Sequence, residues 1–158
     1  KTGDRKIKKN DLIIFYFVFQ INGFSSRIAR TVAYGKATKE QSDIYSAIVN
    51  SWNAVLKGVM PGLNGTTVDD MMRAPMKKIR KKDLMPPQLG HGIGLRVEEM
   101  PIIAKGREDQ IIPDSSVLVL HPGFYDEGSF GIRTADLMLI TRNAGEAIST
   151  PPEELIVV

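Results

Sequence analysis

The chain of 158 residues holds two histidines, His91 and His121. The first lies between glycines in GHGIGLRVEEMP, Gly90 to Pro101, with Glu98 and Glu99 seven and eight residues on. Imidazole with nearby carboxylate can hold a divalent ion or pass a proton, or it can be a packed histidine whose glycine-flanked turn fits around it. On one extended strand the adjacent Glu98 and Glu99 would point to opposite faces, so at most one could work beside His91. The other would be a solvated strand charge. His121 precedes Pro122-Gly123 and reads either as a second imidazole for a single zinc-like ion shared with His91, with Glu98 or Glu99 nearby, or as a solvent-facing residue.

Composition removes other chemistries. With no cysteine, the chain has no disulfide, no zinc finger, no iron–sulfur ligation and no thiol nucleophile. Hydrophobic residues at 42% and charged residues at 25% match an ordinary water-soluble protein that buries a core. The longest apolar run, Leu12 to Phe19, is far too short to span a bilayer, so no membrane segment is expected and the cytoplasm is the default compartment. The net charge is +3, and Lys77, Lys78, Arg80, Lys81 and Lys82 concentrate positive charge in one short stretch. No aromatic residue is interleaved there for base stacking, so the run reads as a solvated face and nucleic-acid binding is not expected.

The elements that must position these residues follow from periodicity. Leu12 to Phe19 and Arg27 to Tyr34 flank an Asn22-Gly23 pair, which predicts a β-hairpin. Thr38 and Gln41 form a capping box, and Ile44, Ile48, Trp52, Val55 and Val59 recur at helical spacing, predicting a helix over Lys39 to Lys57 with its apolar stripe on a sheet. Pro61-Gly62 ends it. A second helix is predicted from about Thr67 to Arg80, interrupted near Pro75. Strands are predicted over Gly94 to Glu98, Ser116 to Leu120 and Ile132 to Thr141, the last after the turn Asp126-Glu127-Gly128. No repeat or low-complexity linker divides the chain, so residues 1–158 read as a single domain of α+β class with a curved antiparallel sheet backed by helices.

Four segments, in order, carry a resemblance. "KKNDLIIFYFVFQINGFSSRIARTVAYG", "KEQSDIYSAIVNSWNAVLKGVMPG", "GHGIGLRVEEMPII" and "VLVLHPGFYDEGSFGIRTADLMLITRNAGEAIST" resemble the hairpin, helix, histidine segment and last strands of the creatinase/aminopeptidase family, whose pita-bread fold is shared by Xaa-Pro aminopeptidases, prolidases and methionine aminopeptidases. The resemblance covers nearly the whole chain. It implies the pita-bread fold and five positions that in active members hold two divalent ions. Those positions fall on Tyr16, Arg27, His91, His121 and Ala135, where the family has two aspartates, a histidine and two glutamates. Glu98 stands where peptidase members often carry a substrate-contacting histidine, Glu99 keeps a family glutamate, and Arg133 matches an arginine beside the final, missing glutamate.

Four of the five ligands are therefore replaced, and none of the five is a carboxylate. Two close divalent ions need several anionic oxygens to offset their repulsion, so the paired-metal cofactor is expected to be lost, and Arg27 opposes a single ion at His91 and His121 as well. Tyr16, Arg27, His91, His121 and Arg133 are expected to form one pocket that has turned from anionic to cationic, with Arg27 pairing with Glu99 or with a carboxylate on a ligand. The first reading is a catalytically degenerate homologue that binds a peptide or protein segment. A second is a metal-free hydrolase of the creatinase type, with His91 as proton shuttle and Glu98 or Glu99 as its partner. A third is a metallopeptidase with altered ligands. The family's first half-domain would lie before Lys1, so the chain is expected to be a piece of a larger protein, completed by a missing N-terminal segment or by a homo-oligomeric partner.

Overall fold

The computed structural model describes residues 3–79 and 82–158. Strands β1 (Leu12–Ile21) and β2 (Phe24–Ala33) pair antiparallel, with Tyr16 opposite Ala29 and Val18 opposite Arg27. The turn between them has φ of 50° at Asn22 and 85° at Gly23, the left-handed pair whose twist matches the strands it joins. Tyr16 and Arg27 are thus diagonal neighbours on one face of the hairpin, as the sequence predicts. The short strand β10 (Ile156–Val157) adds in parallel to the other edge of β2, which leaves β1 as an edge strand.

Helix α1 (Lys39–Gly58) begins with both hydrogen bonds of the capping box, Gln41 N donating to Thr38 Oγ1 at 3.2 Å and Thr38 N to Gln41 Oε1 at 2.8 Å. Its stripe Ile44, Ile48, Trp52 and Val55 is buried against the sheet, with Trp52 only 1% exposed. Helix α2 (Gly65–Arg73), capped by the Asn64 side chain, is shorter than predicted. Pro75 has no N–H to continue the α-helical ladder, and the chain tightens into a 3-10 turn over Ala74–Lys78. Arg80 and Lys81, where the second helix was expected to end, lie outside the described residues.

A five-stranded sheet carries the rest: β3 (Gln88–Gly92), β4 (Glu99–Ala104), β5 (Ser116–Leu120), β8 (Asp136–Ile140) and β9 (Gly145–Ala147), in the order β4-β3-β5-β8-β9 and antiparallel throughout. A separate hairpin joins β6 (Gly123–Asp126) to β7 (Phe130–Arg133) through the predicted Asp126-Glu127-Gly128 turn. One face of the large sheet packs on the helices through Leu89, Ile103, Leu118, Leu120 and Met138. The opposite face buries a smaller group, Ala29, Ile93, Val119, Ala135 and Leu137, beneath β2.

Two expectations are corrected. Gly94 to Glu98 is the turn between β3 and β4, not a strand: Gly94 N donates to Arg96 O, and Glu99 Oε1 accepts from Arg96 N at 2.8 Å, closing the chain on itself. The strand is instead the glycine-rich Gln88–Gly92, where a Cβ on Gly92 would collide with the Met100 carbonyl. Ile132 to Thr141 is two strands rather than one, because at Ala135 the backbone leaves β6 and bonds Ala29 through both N–H···O contacts, each 3.2 Å. Among the described residues no helix is long and apolar enough to cross a membrane.

Candidate functional site

The site forms where the hairpin face of β1–β2 meets the β3–β5–β8 face that looks away from the helices. His91 stands directly opposite Val119 in the β3–β5 ladder, so it shares that face with the small apolar group. Strand alternation gives His121, two residues past Val119, the same side, and Ala135 joins it two residues before Leu137. From across the gap come Tyr16 and Arg27. Arg133, at the end of β7, is held by its own backbone: Thr31 Oγ1 donates to Arg133 O at 2.8 Å and accepts from Arg133 N at 2.9 Å.

The five side chains with polar groups meet. Arg27 Nη1 lies 2.5 Å from His91 Nε2, and Arg133 Nη2 lies 3.0 Å from His121 Nδ1. The two imidazole rings are tilted at 54° with centroids 5.3 Å apart. Both guanidinium carbons sit 5.5 Å from the centroid of the Tyr16 ring. Cation–π attraction of that kind holds each charge in place without neutralising it. Arg133 Nη1 also donates to the Tyr125 hydroxyl at 3.3 Å. Ala135 contributes no polar atom and fills space in the apolar group beneath.

A guanidinium can only donate, so these contacts assign the imidazole nitrogens. His91 Nδ1–H donates to Gly92 O at 2.7 Å, and its Nε2 lone pair accepts from Arg27. His121 accepts on Nδ1 from Arg133. Both histidines are buried, and burial is the main reason both stay neutral well below the usual imidazole range; His121 is pushed down to about 3, with Arg133 adding to the effect. For His91, Arg27 lowers affinity for a proton further, against pulls from the Gly92 carbonyl and Glu98. A divalent ion would need the lone pairs that the arginines already occupy, and Tyr16, Arg27 and Ala135 offer it no carboxylate. The donor set does not fit the family's paired ions.

The two glutamates lie apart from this pair of bonds. Glu99 is tied to the Arg96 backbone, and exposed Glu98 accepts from Gln88 Nε2 at 3.2 Å. With Arg96, Met100 and Ile102 they line an open hollow of about 460 Å³. The expected Arg27–Glu99 pair is not formed: among the described residues neither Arg27 nor Arg133 has a carboxylate partner. Sequence reasoning missed Tyr125. The signal was Gly131, which faces Tyr125 across the β6–β7 ladder and has no side chain to displace the ring, leaving the hydroxyl free to reach diagonally to Arg133.

Known proteins fit this architecture closely. Residues 1–142 match metallopeptidase family M24. The chain belongs to that family. It is 27% identical over 155 residues to a Xaa-Pro dipeptidase of Pyrococcus furiosus, covering 98% of this chain and 44% of that protein. The X-Pro aminopeptidase structure from Thermotoga maritima superposes with a TM-score of 0.91 at 28% identity, over 100% of this chain and 44% of the other. The N-terminal domain of the FACT complex subunit SPT16 from chickpea, Cicer arietinum, matches with a TM-score of 0.84 over 96% of this chain and 39% of that one; at 20% identity this likeness concerns the fold alone. The α+β pita-bread fold implied by the sequence is the fold of these neighbours, and the chain spans less than half the length of the family members it matches.

Proposed function

We propose that this chain is a non-catalytic member of family M24, without the family's paired metal ions, that holds a peptide or protein segment against the Tyr16, Arg27, His91, His121 and Arg133 face. The observation that carries this reading is the 2.5 Å contact from Arg27 Nη1 to His91 Nε2. It puts a permanent cation on the imidazole lone pair that a metal would need. The creatinase-like alternative fares no better on geometry. The same nitrogen would have to shuttle a proton, and no hydrogen bond links His91 to Glu98 or Glu99 among the described residues.

Support for a segment as the ligand comes from β1. It is an edge strand beside the site, and Tyr16 and Val18, on the face it shares with Arg27, are both exposed. An extended segment laid along that edge would gain backbone hydrogen bonds and apolar contacts together. The test is metal analysis of the purified chain after growth with manganese, cobalt and zinc, alongside hydrolysis of Xaa-Pro dipeptides. The expected result is no stoichiometric metal and no cleavage. Two bound ions per chain with metal-dependent cleavage would overturn the proposal.

A further inference from the structure

Four arginines of the described chain are half-buried, and they divide into two kinds. Arg30 and Arg73 each grip a fully buried aspartate with two hydrogen bonds, Asp136 and Asp69. Arg27 and Arg133 bond only neutral acceptors: two imidazoles and a phenol. Their Nε atoms are buried with no hydrogen-bond partner. A guanidinium carries five donors in a planar fork suited to two oxygens of one anion, and a buried donor without an acceptor is unfavourable.

Two such forks converge on the ring of Tyr16, which is 42% exposed, and both arginines are themselves only half-buried. Repulsion between the two cations is relieved neither by the neighbouring histidines nor by Tyr125, and among the described residues Glu98, whose charge bears on His91, is exposed and turned to Gln88. The partner whose geometry such a fork fits is an oxyanion.

We infer that Arg27 and Arg133, set against the Tyr16 ring, form a binding site for one oxyanion, which anchors the bound segment by its free carboxylate. The inference rests on the proposed peptide-binding role for its second half only. Inorganic phosphate has the same recognition chemistry, so the two sources are separated by experiment. The unliganded arrangement is maintained by the Arg27–His91 and Arg133–His121 bonds, which leave Arg27 Nη2 and the second N–H of each Arg133 Nη nitrogen for the guest.

The test is calorimetric titration of the chain, dialysed against chelator, at low ionic strength with four probes: an N-acetylated peptide with free C-terminus, the same peptide amidated, sodium phosphate and sodium sulfate. Saturable binding of the free acid at one per chain is expected, at least tenfold tighter than the amide. Arg27→Met and Arg133→Met should each weaken it at least tenfold, and Glu98→Gln should strengthen it. Arg133→Lys, which keeps the charge but loses the fork, should fall between, and thermal melts of every variant confirm that each is folded. Phosphate binding that is arginine-dependent, with no difference between acid and amide, would keep the oxyanion site and overturn its role as a peptide anchor. Absence of saturable binding by any probe, or binding unchanged in both methionine variants, would overturn the site itself. Metal uptake with cleavage is read in a separate assay and bears on the proposed function alone.

Discussion

Arg27 and Arg30 stand three residues apart on β2, both half-buried, and do opposite things. Arg30 is a latch: it reaches Asp136 through two nitrogens at 2.7 and 3.0 Å and the carbonyls of Ala29, Ala135 and Thr150. It thereby fastens β2 to the start of β8 and to the C-terminal segment. Burial pushes the Asp136 carboxyl above its ordinary range, while Arg30 and Ser149 pull the other way. Arg27 has a neutral imidazole where Arg30 has a carboxylate. The same residue type on the same strand is structural where its counter-charge is built in, and meets only a neutral acceptor among the described residues where it is not.

The sharpest way to break this contrast is Arg30→Met. It would leave Asp136 buried without its cation, and an orphaned buried charge destabilises by about 3–5 kcal/mol. Chemical denaturation should show a loss of that size, or an insoluble product. The site histidines give the next largest effect. His121 binds its proton near pH 3 when folded and near 6.5 when unfolded, so between those values the unfolded chain holds more protons and stability must fall as pH falls. Each pH unit in that window removes about 1.4 kcal/mol, or about 2 kcal/mol between pH 6.5 and 5. His91, lowered in the same direction, adds to the slope. Denaturation midpoints that stay flat over this range would show that the imidazoles are already solvated.

Ser149→Ala sharpens the Arg30 side. Ser149 Oγ donates to Asp136 Oδ1 at 2.8 Å and accepts from Leu137 N at 3.0 Å, and losing it should cost about 1 kcal/mol in the same denaturation assay. The smallest effect is expected from Arg27→Met. Removing a cation that has no carboxylate partner should change stability by less than about 1 kcal/mol in either direction. A loss as large as that of Arg30→Met would make Arg27 a second latch and erase the comparison.

The hairpin and α1 were legible in the sequence because each rests on a local rule, whereas the convergence of the site residues was implied by the resemblance to the family. Asn22-Gly23 sets the register, the register puts Tyr16 and Arg27 on one face, and alternation along β5 and β8 does the same for His121 and Ala135. What escaped is long-range. Gly90 and Gly92 read as turn residues, yet they are glycines because neighbouring strands approach too closely for a Cβ. Nothing local announces that Asp136 will meet Arg30 across 106 positions, or that Arg27 will meet an imidazole rather than Glu99.

The two-residue turn at Asn22-Gly23 also sets an order of events. Strands β1 and β2 pair over ten positions from that turn, closing loops that are short in sequence, and hairpins of this kind form in about 1–10 μs. The β3–β5–β8 sheet joins residues far apart in the chain, and closing those loops loses more chain entropy before any contact compensates. The expected order sets Tyr16 and Arg27 side by side while His91 and His121 are still on unpaired chain, with the later strands docking onto a cationic template. Pulsed hydrogen exchange during refolding would show this as protection of the β1–β2 amides ahead of those of β5 and β8.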